Sequence, residues 1–293
     1  MTPKKKDKKP AQKKKQPAKM KRWSAGRIVL LFTALVVGFL LIFGLWGLAE
    51  AKIVHLQYTQ LPLKDLPQAL DGVTVLFISD FHMESERDTR QTLDLMNRLA
   101  ELRPDVLALG GDYSEIGLMD KLSAGGNAAK LEQMEGQRRI WRQIFFEGLR
   151  EFPATLKIGV AGERDGAVQP LSEDMALGEI RLLTNEAVSL KRDGEKLWFI
   201  GMEEWSQGDQ QYRALAEQMD SQDCVICVGH NPDALPALNN QKGKPWLDAM
   251  FSGHTHGGQI TLFGGRALVN PSMYGERFLS GWHLENRTRL LVS

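Results

Sequence analysis

From residue 71 onward the chain repeats one pattern: a short apolar run that stops at a carboxylate or an imidazole. Val73–Ile78 leads into Asp80 and His82, Val106–Leu109 into Asp112, and Leu156–Ala161 into Glu163. Cys224–Val228 leads into His230, and Leu247–Phe251 into His254 and His256. Apolar runs of this length bounded by turn residues read as buried strands. Between them the period changes. Thr92–Leu102 places Leu93, Met96, Leu99 and Ala100 at helical spacing and stops before Pro104. Leu131–Leu149 is a longer amphipathic helix, with Leu131, Met134, Ile144 and Phe145 on its apolar stripe. Val188–Leu190 and Leu197–Ile200 flank an Arg192-Asp193-Gly194 turn, as in a hairpin. Gln211–Met219 reads as helix, and Gln259–Leu262 and Arg287–Val292 read as strands. Strands alternating with helices predict an α/β architecture.

The N-terminal part follows other rules. Residues 1–22 are rich in Lys, Pro and Gln with no apolar period, so the basic stretch 1–27 is expected to be a disordered tail. Residues 28–49 then carry no charge and are long enough to span a bilayer as a helix, which takes about 20 residues. Trp23 and Trp46 stand near its ends, where interfacial anchors sit. Ala49-Glu50-Ala51 fits a small-x-small cleavage site, but the apolar segment of a signal peptide is usually about 7–15 residues, which favours an uncleaved anchor. Residues 50–70, with Pro62 and Pro67, read as a linker and leading strand, and 71–293 as one globular domain.

Charge sharpens the division. Twelve basic residues against one aspartate give residues 1–27 a net of +11, while 25 basic and 35 acidic residues give the remainder −10. A basic flank before the span places the N-terminus in the cytoplasm and the domain outside it. The tail can also touch anionic lipid. An acidic main body argues against nucleic acid as a partner. Cys224 and Cys227 spell C-x-x-C, but on a β-branched apolar run they point to opposite faces, so strand packing is the reading, without redox or metal function.

The chemistry lies at the ends of the runs. In α/β sheets, ligand sites form outside the carboxyl ends of strands. Asp80, His82, Asp112, Glu163, His230, His254 and His256 all fall there. His254 and His256 are two apart at a strand end, so both imidazoles are expected to face one point. Mixed oxygen and nitrogen ligands without thiolate suit Mn, Fe or Zn, and seven ligands exceed one tetrahedral ion and fit two divalent ions sharing a bridge.

These residues carry a resemblance. Asp80-Phe81-His82, Gly111-Asp112, Gly162-Glu163-Arg164-Asp165, Gly229-His230 and Gly253-His254-Thr255-His256 resemble, in order and spacing, the motifs of calcineurin-like metallophosphoesterases. The form is that of the membrane-anchored bacterial branch, whose last motif reads Gly-His-Thr-His-Gly-Gly-Gln-Ile, as residues 253–260 do. The resemblance implies a four-layer α/β/β/α sandwich and hydrolysis of a phosphomonoester, phosphodiester or pyrophosphate by a hydroxide held between two metals. It implies that Asp80, His82, Asp112 and His256 hold one ion. Asp112 would bridge to the second, shared with Glu163, His230 and His254. Some relatives of this branch act on a UDP-diacylglucosamine intermediate, so a phosphorylated, lipid-linked substrate is expected beside the membrane.

Two positions depart from the family. Its third motif is usually Gly-Asn-His-Asp. Glu163 adds a charge where the family has a neutral amide. Arg164 replaces a histidine that contacts phosphate and aids the leaving group. A guanidinium does not release its proton near neutral pH, but it binds phosphoryl oxygens. Asp165, which orients that histidine in the family, is expected to pair with Arg164, and these two are the candidate catalytic side chains. The departures define the alternative: a degenerate, non-catalytic member that binds metal or phospholipid.

Overall fold

The computed structural model describes residues 24–50, 53–203, 212–239, 246–258, 261–262, 266–267 and 269–293. Residues 1–23 of the basic stretch, Gln211 and Gln259-Ile260 lie outside them, while Ala25–Arg27 of that stretch are helical, against the expectation of a disordered tail to residue 27. The chain divides into two units, Met1–Leu61 and Pro62–Ser293. The first holds helix α1 (Ala25–Glu50). Of this helix, Ala25–Gly47 is long and apolar enough to cross a bilayer, with none of it buried. At 1.5 Å per residue the 26 residues of α1 extend about 39 Å, against a hydrocarbon core of about 30 Å.

The second unit is built on two sheets. Strands β1 (Val75–Ile78), β2 (Val106–Leu109), β3 (Leu156–Gly159) and β4 (Arg181–Leu182) form an all-parallel sheet in that order. Helices α2 (Glu86–Leu99), α3 (Leu118–Ala124), α4 (Ala128–Gly148) and α5 (Val168–Ala176) lie in its connections. Strands β5 (Glu186–Arg192) and β6 (Glu195–Gly201) form a hairpin, followed by α6 (Tyr212–Glu217), β7 (Cys224–Val228), α7 (Leu235–Asn239) and β8 (Ala249–Ser252). A small ribbon, β9 (Thr261–Leu262) with β10 (Arg266–Ala267), precedes the closing hairpin β11 (Gly281–Glu285) and β12 (Thr288–Val292). The second sheet runs β11-β12-β8-β7-β6-β5, parallel in its centre and antiparallel at the two hairpins.

Strand alternation produces the layers. Leu76, Leu107 and Leu109 turn to one side, into a core with Met96 and Leu99 of α2, Phe145 and Phe146 of α4, and Leu171 and Met175 of α5. Phe77, between them in register, turns to the other side and meets Phe251 of the second sheet at 5.6 Å between ring centroids. On the far side of that sheet, Val225, Cys227, Met250 and Leu290 pack with Leu215 of α6 and Leu235 and Leu238 of α7. The order is helix, sheet, sheet, helix, the α/β/β/α sandwich expected.

The cysteines behave as strand residues. Both are buried and free, and burial pushes both thiols far above their ordinary range. The hairpin turn is also as anticipated: Asp193 and Gly194 take φ of 50° and 86°, the left-handed pair of a tight hairpin. Helix α2 starts six residues before Thr92, because the Ser85 hydroxyl accepts the Asp88 amide 3.2 Å away and caps it. The apolar period begins only at Leu93, so it could not show this start. Strand β11 was unanticipated. Among the described residues it pairs with β12 alone, at the sheet edge, and it leaves Leu284 71 % exposed, so its apolar alternation is weak.

Candidate metal centre

Every candidate ligand sits on a loop leaving the carboxyl end of a strand. Asp80 and His82 follow β1, Asp112 follows β2, and Glu163 follows β3. His230 follows β7, and His254 and His256 follow β8. The parallel register continues past the strands and fixes these loops. The Asp80 amide donates to Gly111 O (3.0 Å), the His82 amide to Asp112 O (3.0 Å) and the Gly253 amide to His230 O (3.0 Å). The His230 ring crosses between the sheets, its Nδ1 2.8 Å from Gly110 O. That contact fixes Nδ1 as the protonated nitrogen and leaves the Nε2 lone pair free.

Glycine permits the close approach. A Cβ on Gly253 would stand 2.0 Å from Asp80 Oδ2, and one on Gly162 would stand 2.2 Å from Asp112 Oδ1. The backbone is strained where the ligands lie. Asp80, His82, Asp112, His254 and His256 all have positive φ, between 42° and 72°. Such conformations cost of order 1–3 kcal/mol each in non-glycine residues and persist only where surrounding contacts enforce them.

Two tight groups result. Asp80, His82 and His256 form one; Asp80, Asp112 and His230 form the other; within each, one potential ligand atom per residue lies within 4.8 Å of the others. Asp112 Oδ2 is 3.5 Å from both His82 Nε2 and His230 Nε2. Asp80 Oδ1 is 3.5 Å from His256 Nε2 and 3.7 Å from His82 Nε2. His254 and Glu163 stand together beside these groups, with Nδ1 3.8 Å from Oε2.

The two histidines of the last motif therefore do not face one point. His256 turns to His82, with Nε2 atoms 3.1 Å apart, while His254 turns to His230 and Glu163. Strand β8 ends at Ser252, and the left-handed residues beyond it break the two-residue period on which the expectation rested.

The expected Asp165–Arg164 pairing is also replaced. Asp165 is buried, and its carboxylate accepts three backbone amides: Asp112 and Gly162 on Oδ2, both at 2.8 Å, and Tyr113 on Oδ1 at 2.9 Å. It ties the β2 and β3 loops together from inside. Arg164 is half-exposed, its Nε is 3.0 Å from Glu163 Oε1, and its amide donates to Asp112 Oδ1 at 2.8 Å. A buried Asp165 carboxylate, already satisfied by amides, leaves the guanidinium to its exposed neighbour.

One residue escaped the sequence reading. Glu115 places Oε1 3.0 Å from His82 Nδ1, on the ring edge opposite the ligand group. A carboxylate behind an imidazole raises its basicity toward a cation. The available signal was a carboxylate three residues past Asp112 on the same loop.

The electrostatics are those of a cation cage. Burial works against ionised Asp80, but the His82 hydrogen bond and the neighbouring imidazoles of His230 and His256 hold its pKa down to about 2. Burial also works against charged His230, yet Asp112 and Asp80 lift it to about 9. Burial and the adjacent Asp112 charge push Asp165 up to about 6. The carboxylates stabilise positive charge on the imidazoles, and the same negative charge would favour a metal ion in place of those protons. The donors fit such an ion: His230 Nε2 is buried, faces both aspartates and has no hydrogen-bond partner among the described residues. Nitrogen and oxygen donors without thiolate suit borderline divalent metals.

Fold and donor set together define an α/β/β/α protein with candidate metal-ligand groups at the carboxyl ends of its strands. Residues 73–258 match the calcineurin-like phosphoesterases, and the chain belongs to that family. Among its relatives, the uncharacterized protein YpbG of Bacillus subtilis is 27 % identical over 72 % of this chain and 71 % of its own length. The uncharacterized metallophosphoesterase YkuE of the same organism is 23 % identical over 90 % of this chain and 86 % of its own length. A transmembrane protein with metallophosphoesterase domain from Danio rerio is 21 % identical over 85 % of this chain and 54 % of its own length. Helix α1 and that relative together suggest membrane association. Among solved structures, the phosphopantetheinyl hydrolase PptH of Mycobacterium tuberculosis aligns with 75 % of this chain and 88 % of its own, at 12 % identity and a TM-score of 0.40.

Proposed function

We propose that this protein is a membrane-anchored phosphoesterase that hydrolyses a phosphomonoester, phosphodiester or pyrophosphate at a centre for two Mn, Fe or Zn ions. The carrying observation is the convergence of His82 Nε2 and the orphaned His230 Nε2 on one oxygen of Asp112, each at 3.5 Å. In this reading Asp80, His82, Asp112 and His256 hold one ion, and Asp112, Glu163, His230 and His254 the other. Divalent ions there supply Lewis acidity toward phosphoryl oxygens and make water a competent nucleophile.

The chain's own residues do the rest. The His230–Gly110 contact keeps the proton of the neutral ring on Nδ1, so Nε2 is the nitrogen that faces an ion. Asp165 holds the Asp112 and Glu163 loops at fixed separation. Arg164, exposed beside Glu163, binds a phosphoryl oxygen and gives up no proton. A membrane-length α1 behind a strongly basic tail favours an N-terminus in the cytoplasm and a domain outside it, facing lipid-linked substrates on that side; a UDP-diacylglucosamine-type substrate, being cytoplasmic, requires the opposite orientation.

The test uses the full chain in detergent, loaded with Mn²⁺ and assayed against aryl phosphomonoesters, aryl phosphodiesters and lipid pyrophosphates. Chelator-sensitive turnover of at least one class is expected. Rates equal to those of Asp112→Asn on every substrate would leave the non-catalytic, metal- or phospholipid-binding reading standing.

A further inference from the structure

The loop that carries Glu163 and Arg164 is held from outside by two arginines of α4. Arg138 and Arg142 are four residues apart and share one helix face. Arg138 Nη1 donates to Arg164 O at 2.6 Å and to Ser114 O at 3.2 Å. Arg142 Nη1 donates to Asp165 O at 3.0 Å. Both contacts are to main-chain carbonyls, so they fix the path of the loop whatever its side chains do.

The two arginines are not equivalent. Arg142 is buried and also bonds Asp174 of α5, through Nε at 2.9 Å and Nη2 at 2.5 Å. Its first duty is to staple two helices. Among the described residues, the hydrogen bonds of Arg138 go to the two candidate ligand loops, and its ion pair to Glu135 one turn back on α4. It reaches across from the loop after β2 to the loop after β3. Asp165 joins the same two loops from inside, so Arg164 sits on a segment gripped on both sides.

We infer that Arg138 is a positioning residue: by clamping the carbonyl of Arg164 it fixes where the Arg164 guanidinium meets the substrate phosphoryl group. The inference rests on the proposed phosphate-binding role of Arg164. Losing one hydrogen bond to a charged group corresponds to about tenfold or more in an equilibrium. Arg138→Met should therefore raise KM for an aryl phosphate about tenfold while kcat changes less than about threefold. Arg138→Lys, which can still donate to one carbonyl, should recover part of the loss. If Arg138 acts only through Arg164, then Arg138→Met added to Arg164→Met should change nothing further.

The experiment measures kcat and KM for these four variants and the parent, as full-length protein in detergent. Amide hydrogen exchange across residues 162–166 is read in parallel. The clamp predicts non-additive KM effects and exchange at least about tenfold faster in Arg138→Met, confined to that loop and the 112–115 loop. Additive KM effects, or unchanged loop exchange, overturn the inference. If the parent turns over no substrate, the proposed function fails, and the exchange arm alone still upholds or overturns the clamp.

Discussion

The inner tie between the two ligand loops can be tested at Asp165. Its Oδ2 takes the amides of Asp112 and Gly162, and its Oδ1 takes that of Tyr113. An amide side chain placed with its oxygen at the Oδ2 position keeps two of the three bonds and turns an NH₂ toward the third amide. Leaving a buried donor unsatisfied costs about 1–3 kcal/mol. Asp165→Asn should therefore cost about 1–3 kcal/mol, and Asp165→Ala, which strands all three amides, about 3–9 kcal/mol. For a domain of this size 1 kcal/mol shifts Tm by roughly 2–4 °C, so the alanine variant should melt at least about 6 °C lower. The assay is thermal unfolding of the full chain in detergent, with metal content measured on the same samples. Because one of the tied loops carries Asp112, the alanine variant should also bind less metal. Equal melting temperatures for parent, Asn and Ala would refute the assignment of Asp165 as the inner tie.

Three further outcomes are expected. Asp112→Asn should lower metal occupancy at both positions, since Asp112 Oδ2 is equidistant from His82 and His230; unchanged metal content by elemental analysis would remove it from the centre. Without a proton donor at position 164, nitrophenyl esters should exceed alkyl phosphates by a factor approaching the about 10²–10⁴ of general acid catalysis, and Arg164→His should narrow the gap. A plot of log rate against leaving-group pKa with a shallow slope, unchanged in Arg164→His, would show that the proton comes from another group. A reporter fused after Val292 should be active outside the cytoplasm, and activity only in the cytoplasm would reverse the topology.

What the sequence determined alone was the set of local signals and their order. Apolar runs ending in ligands, helical stripes between them and an uncharged 22-residue stretch are properties of neighbours along the chain, and period and composition suffice to read them. The opposite-facing Cys224 and Cys227 followed from strand alternation alone. The tertiary structure decided what depends on residues far apart in sequence. Five candidate ligand residues adopt left-handed backbone beyond the strand ends, and this sends His254 and His256 to different groups. Asp165 accepts amides of a loop some fifty residues earlier, and Glu115 backs His82 across two strands. Arg138 and Arg142 read in sequence only as the polar side of an amphipathic helix. Their carbonyl partners, 23 to 26 residues away, exist only once α4 has docked on the first sheet.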